Sequence, residues 1–495
     1  MKILDIFAVS AAVLTGVACD GRARSENDEH GDPAAAPNLL IDREERPLIF
    51  GNPEDCERCH AQHFAEWSTS NHAYALTDPV FRAMVKVGQE QTKGKLGQFC
   101  IQCHSPVGMA MQETIITEDS DGVFAQELVD VSPVAAHGVS CDVCHSITDV
   151  IEPLNARAIL TPDGTRRGTI EDPVSNEAHA SAYSALHESS DLCGMCHSVT
   201  NPKGALVEET FDEWATSSFA EDGGKTCQDC HMPEYEGRAT PDAPLRTLHR
   251  HRFVGVDVSL VGEDEFPGYW EIRYATAQLL RSAVDFSAYY DSDSSSLRLV
   301  IKNLAGHALP SGATAERQMW VALEIRDAKG KIVVSSGELD KNGDLFDGVE
   351  GHSTVPRSDP QLIYYGQQLV DVAGIDKAPD DDAKSILRTE GERDCRPMGE
   401  GAVAAHGVLT PVSFPWQATW QCNYLIPADG ADRPGYQVAA LPPGDYTAQL
   451  TLRFRSFPPY FLRELEKIGD LDPIVKTRVP IVDMASTRLS FEVRR

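Results

Sequence analysis

Ten of the chain's 13 cysteines fall in five copies of one pattern. The copies read CERCH at 56–60, CIQCH at 100–104, CDVCH at 141–145, CGMCH at 193–197 and CQDCH at 227–231. Cysteines at i and i+3 share one face of a helical turn, so both sulfurs can reach the two vinyl groups of a single porphyrin. The histidine that follows then lies under the ring, where it can bind iron. This is the attachment signature of c-type haem. It makes Cys56, Cys59, Cys100, Cys103, Cys141, Cys144, Cys193, Cys196, Cys227 and Cys230 the expected thioether donors. His60, His104, His145, His197 and His231 are the expected proximal ligands. With this composition one such pentapeptide arises by chance in about one sequence in a hundred, so five copies are not an accident.

Two other chemistries use paired cysteines. A zinc site combines two pairs into four ligands and does not require a histidine directly after every pair. A disulfide exchanger carries one such pair on a thioredoxin-like pattern. Neither explains five repeats, so five covalently attached haem c groups are expected. A segment built this way is mostly helix and loop, held together by side chains packed on large apolar porphyrin plates.

The fold class expected is therefore α + β in two domains. A mainly helical and loop multihaem cytochrome c domain (46–280) is followed by an antiparallel β-sandwich (281–495). In the second part, VDFSAYY (284–290) and LRLVIKNL (297–304) flank the turn-rich DSDSSS and read as a hairpin. MWVALEIRDAKGKIVVSSGEL (319–339) reads as another, and YTAQLTLRFRS and LSFEVRR alternate like half-buried strands. WEIRYATAQLLRSA (270–283) suits a helix at the junction. The acidic loop DKNGDLFDG (340–348) has its glycine too early for an EF-hand and reads as an ordinary loop.

The N-terminus has the form of an export signal (1–18): Lys2, a short apolar run, then Gly16-Val17-Ala18 before Cys19. A general peptidase and a lipoprotein peptidase could both cut before Cys19. The second would lipidate it and anchor the chain to a membrane surface. Residues 19–45 read as a flexible tether. Export favours a disulfide between Cys395 and Cys422. The location expected is periplasmic or, with a lipid anchor, a membrane or cell surface. The formal charge of −31 repels nucleic acid and suits cationic redox partners.

The remaining histidines decide ligation. His137 stands four residues before Cys141, on the proximal side of the haem that His145 would bind, so it is expected to ligate a neighbouring haem instead. FAEWSTSNHA (64–73) and FDEWATSSFA (211–220) share Phe, Glu, Trp, Thr and Ser in register, and His72 in the first copy is replaced by Phe219 in the second.

CERCHAQHFAEWSTSNHAYAL resembles the first haem segment of the cytochrome c-554/c-prime (cytochrome c-552/4) family, through Trp67, the Ser70-x-His72 step and Ala73. HGVSCDVCH, CGMCHSVTNP, CQDCHMP and HRHRFVGVD are similar to segments of related multihaem cytochromes, and GHALPSG (306–312) to a motif of their appended β-domains. The resemblance covers 53–312. It implies His72, His251 and His307 as distal ligands beside His137; one of His179 and His187, which precede CGMCH on an expected helix, should supply the fifth. Methionines 109, 111, 195 and 232 are read as packing residues.

Bis-histidine ligation closes both axial positions of iron, so the expected function is electron transfer through a chain of haems. The alternative is a multihaem oxidoreductase acting on a small nitrogen or sulfur compound at one open haem.

Overall fold

The computed structural model describes residues 37–42, 47–120, 122–128, 131–349, 351–355, 357–372 and 409–494. The expected export signal, Cys19, most of the tether, Cys395 with its bridge to Cys422, and His406 lie outside them. The described residues belong to one compact unit, Ala34–Arg495.

The attachment motifs sit on short helices. CERCH lies in Pro53–Trp67, a helix with Pro53 in its first turn and Glu54 and Asp55 at its positive end. It is broken at His60, where φ −112° and ψ 42° turn the histidine out of the helical run. Two others lie on Cys141–Ser146 and Cys227–His231, CIQCH starts at the N-cap of Ile101–His104, and CGMCH runs from the last residues of Asp191–Gly194 into the turn that follows. Thr226 and Asp229 cap Cys227–His231 reciprocally. Between them run small two- and three-stranded sheets. The helix expected around His179 and His187 is absent. Ala180–Tyr183 is a strand, and His187 sits in the 3-10 turn Ala185–Glu188. Local polar side chains take the amides that a helix would need: Asn176 Oδ1 accepts from Ala178 N at 2.8 Å, and Ser175 Oγ from Ser181 N at 2.9 Å.

Helix Tyr269–Ser282 leads into the antiparallel hairpin Val284–Asp291/Ser296–Asn303, which belongs to a four-stranded sheet. Gln318–Asp327 pairs with Ile332–Ser336 on one side and with Gly444–Arg455 on the other, and Val482–Val493 completes that side of a seven-stranded sheet. Both expected hairpins are present. Alternation along the strands puts Leu297, Leu299 and Ile301 of the first sheet into one core with Val321, Leu323, Leu450 and Leu452 of the second.

The two parts of the chain share apolar cores. Val80, Ala83 and Val87 of helix Pro79–Thr92 pack with Phe461, Leu462 and Leu465 of helix Pro459–Ile468, and with Phe414 and Trp416. Burying a side chain of this size stabilises by about 1.5–3 kcal/mol. Asn201 reaches across to donate to Pro415 O at 2.6 Å and Ala418 O at 2.8 Å. The β-part is thus packed against the motif-bearing part and fixes its loops.

Candidate haem-binding sites

Each of the five motif histidines has its Nδ1 engaged. His60 Nδ1 bonds to Ala239 O at 2.7 Å, His104 to Ala75 O at 3.2 Å, His145 to Arg167 O at 2.5 Å and His231 to Val254 O at 2.7 Å. A carbonyl can only accept, so Nδ1 carries the hydrogen and Nε2 is the bare nitrogen. That is the tautomer of a metal ligand whose other nitrogen is held by its surroundings. The fifth histidine, His197, has a carboxylate instead of a carbonyl: Glu208 Oε1 at 2.9 Å.

Four of these rings face a second histidine. His60 and His179 have ring centres 6.3 Å apart, as do His72 and His197, and His145 and His251; His231 and His307 are at 6.4 Å. A metal–imidazole nitrogen bond is about 2 Å long, so two such bonds and half of each ring span about 6 Å. The four spacings fit an iron between each pair. His179, His251 and His307 also give Nδ1 to a carbonyl (Ala180, His249 and Ala308, at 3.0, 2.9 and 3.1 Å), which leaves Nε2 bare on that side too. Burial pushes His72 and His251 down to about 3 and His307 to about 4, keeping each neutral, the form that binds metal.

His249 gives Nδ1 to Met232 O at 2.8 Å and faces no motif histidine among the described residues, and four other histidines have their Nε2 or their ring committed elsewhere. His137, expected to reach a neighbouring haem, places Nε2 2.7 Å from Glu54 Oε1 and meets only the Trp67 ring among the described residues. His187 stacks on the His145 ring at 5.5 Å, but its Nε2 is taken by Cys144 O at 3.1 Å, so of the two candidates before CGMCH it is His179 that faces a proximal ring with Nε2 bare. His63 Nε2 bonds to the Tyr235 hydroxyl at 3.0 Å, and His352 stacks on Tyr460 at 3.5 Å. His104 is different. Its one ring neighbour among the described residues is Phe81, stacked parallel at 3.8 Å, and no second histidine faces it.

The segment HGVSCDVCH has a role in the backbone. Gly138 adopts φ +64°, and Val139 N then donates to His72 O at 2.9 Å. A Cβ on Gly138 would lie 2.9 Å from that same oxygen. The segment therefore grips the turn that carries His72. The Trp67 indole donates to Val139 O at 2.9 Å and closes the arrangement. In the second copy of the repeat, Trp214 donates to Lys225 O at 2.8 Å, while Phe219 packs against Gly306 beside His307.

None of the ten motif cysteines is in a disulfide. They meet across motifs: Cys56 with Cys141, Cys193 with Cys227, and Cys103 with Cys196 are in hydrogen-bonding contact. Met109 and Met195 are buried in a core with Ile101, Ile147 and Leu160, which is a packing role. In the acidic loop Asp344 pairs with Arg463 at 2.6 Å and Asp347 with His352 at 2.7 Å, so its carboxylates are already partnered. Glu208 went unnoticed in the sequence. The turn-forming Asn201-Pro202-Lys203-Gly204 after CGMCH was the signal that the chain folds back there and brings a carboxylate onto the motif histidine.

Five attachment motifs, each with its histidine Nδ1 held by an acceptor and four of them in the metal-binding tautomer, define a multihaem c-type cytochrome. The model of the Cytochrome c552 family matches residues 62–201, a stretch holding three of the five motifs. In three dimensions the chain is similar to a penta-haem cytochrome c552 from Thermochromatium tepidum, with a TM-score of 0.51 and 19% identity over 90% of this chain and 100% of that one. At that identity the likeness is one of fold. No curated protein matches the chain.

Proposed function

We propose that the protein carries electrons through five covalently attached haem c groups, four of them held between two histidines. The observation that carries this reading is the set of four histidine pairs 6.3–6.4 Å apart. The ligand pairs are His60 with His179, His145 with His251, His197 with His72, and His231 with His307. The haem supplies reversible one-electron chemistry at iron. The protein supplies ligation, spacing and burial.

Contacts between motif thiols suggest the order. Motif 56–60 adjoins 141–145 through Cys56 and Cys141. Motif 193–197 adjoins 227–231 through Cys193 and Cys227, and 100–104 through Cys196 and Cys103. Cys144 and Cys196 sense each other's charge, which links the two groups. The haem at 193–197 is then a junction, and His307 makes the β-part contribute a ligand to the haem beside it. The segment likenesses noted for 53–312 agree with a relative of the cytochrome c-554/c-prime group. The form of residues 1–18 favours export, with lipidation of Cys19 as the means of anchoring. Among the described residues no helix is long and apolar enough to cross a membrane. The charge of −31 suits a cationic redox partner.

A second reading has one observation in its favour. Among the described residues His104 faces no second histidine, so its haem has an axial position for a small nitrogen or sulfur ligand. Mass spectrometry and film voltammetry of the mature protein test the main reading. Five haem additions and five reversible one-electron steps are expected; fewer additions would overturn the count, and catalytic current with a small oxidant would favour the second reading.

A further inference from the structure

Four of the five proximal histidines are held by neutral backbone carbonyls, and His197 alone by a carboxylate. The difference is built into the chain. Glu208 is cross-strand partner to Val199 in the hairpin that leaves the CGMCH motif, two residues after His197. Asn201 closes the turn by accepting from Ala205 N at 2.8 Å, and donates to Pro415 O and Ala418 O of the β-part. Ala205 and Val207 pack on Leu369 and Ala418. Next along the chain, Glu209 accepts from Asn423 Nδ2 at 3.1 Å. The carboxylate is thus clamped on His197 Nδ1 by both parts of the molecule, and only 19% of its side chain is exposed.

We infer that Glu208 lowers the reduction potential of the haem held by Cys193, Cys196 and His197. This rests on the proposed ligation of that haem. A carboxylate draws the Nδ1 hydrogen toward itself without removing it, which makes the imidazole a stronger donor through Nε2. A stronger donor stabilises ferric over ferrous iron. Reduction still adds one electron to the iron, and no proton leaves the pair. The bond is present in both oxidation states, so only the amount by which it is stronger in the ferric form shifts the equilibrium, and for a charged acceptor we take this as about tenfold. For one electron that is about 59 mV. Glu208 also places its charge near His104, so the neighbouring haem should move the same way by less. Since the 193–197 motif touches two others, Glu208 is a positioning residue that would set the level of the junction haem.

The test is an EPR-monitored redox titration of the mature protein and of Glu208→Gln, each first weighed to confirm five haems. Glutamine keeps a carbonyl acceptor and removes the charge, so a merely structural role would leave the potential in place. The expected result is one haem whose midpoint rises by the equivalent of about tenfold, with low-spin signals retained. Unchanged midpoints, or a fall, in protein carrying five haems would overturn the inference while leaving the pentahaem reading intact. Fewer than five haems in the parent protein would instead overturn that reading. If Glu208→Gln does not assemble, Glu208→Ala is titrated in its place. Failure of both to assemble would make Glu208 a folding residue and overturn the tuning role.

Discussion

Two histidine substitutions separate ligation from mere proximity. His179 lies opposite His60, ring centres 6.3 Å apart, with its Nδ1 on Ala180 O. His137 lies nearer an attachment motif in sequence, yet its Nε2 is on Glu54. His179→Ala should open one axial position and turn one haem in five high-spin, a fifth of the total. Its midpoint should rise, because loss of an imidazole donor favours ferrous iron. His137→Ala should leave every spin state alone. The His137–Glu54 pair is 30% and 47% exposed, so its loss should cost no more than about 1 kcal/mol. The Trp67–Val139 bond that braces the same segment does not involve His137. The assay is EPR of the ferric proteins and carbon monoxide binding to the reduced ones, after mass spectrometry has confirmed five haems in each. A new high-spin haem in His137→Ala, with none in His179→Ala, would refute the ring-geometry argument.

Gly138→Ala should disturb His72 through the backbone: a left-handed alanine costs about 1–2 kcal/mol, its Cβ meets His72 O at 2.9 Å, and a partial high-spin signal with a lower melting temperature is expected. Asn201→Ala should cost about 1–3 kcal/mol, since it leaves the buried carbonyl of Ala418 without this donor, while Pro415 O keeps Ala418 N; denaturant unfolding of the loaded protein measures this. Burial raises the Glu316 carboxyl to about 7, against its usual 4.5, with Arg317 opposing. The folded state then holds this proton more tightly than the unfolded one, so stability should fall as pH rises from about 4.5 to 7, by at most about 3 kcal/mol. Glu316→Gln should flatten that slope and be the more stable form above pH 7; an unchanged slope would count against the buried carboxyl.

What could be read in the sequence follows from how local the information is. Thioether attachment needs two sulfurs and a histidine within five residues, so the motifs and proximal histidines are visible without any fold. Alternation marked the hairpins at 284–304 and 319–339 because each is closed by its own turn. Distal ligation is a long-range property. His72, His251 and His307 do face motif histidines, but His307 comes from the β-part and reaches His231 across 76 positions of sequence. At His137 the ring points to Glu54 and not to a second histidine, because which way a ring points depends on what takes its nitrogens. The helix expected at 179–187 failed for a related reason: short-range bonds from Asn176 and Ser175 hold the backbone extended. The apolar core joining helices Pro79–Thr92 and Pro459–Ile468 brings together residues nearly 400 positions apart, and nothing in either segment names its partner.

The central claim is that four haems are closed by histidine pairs and a fifth is not. Quantitative EPR of the fully loaded ferric protein tests it most directly. The account predicts four low-spin haems and one high-spin haem per chain, the last at His104. Five low-spin haems, or three or fewer, in protein that carries all five would contradict it.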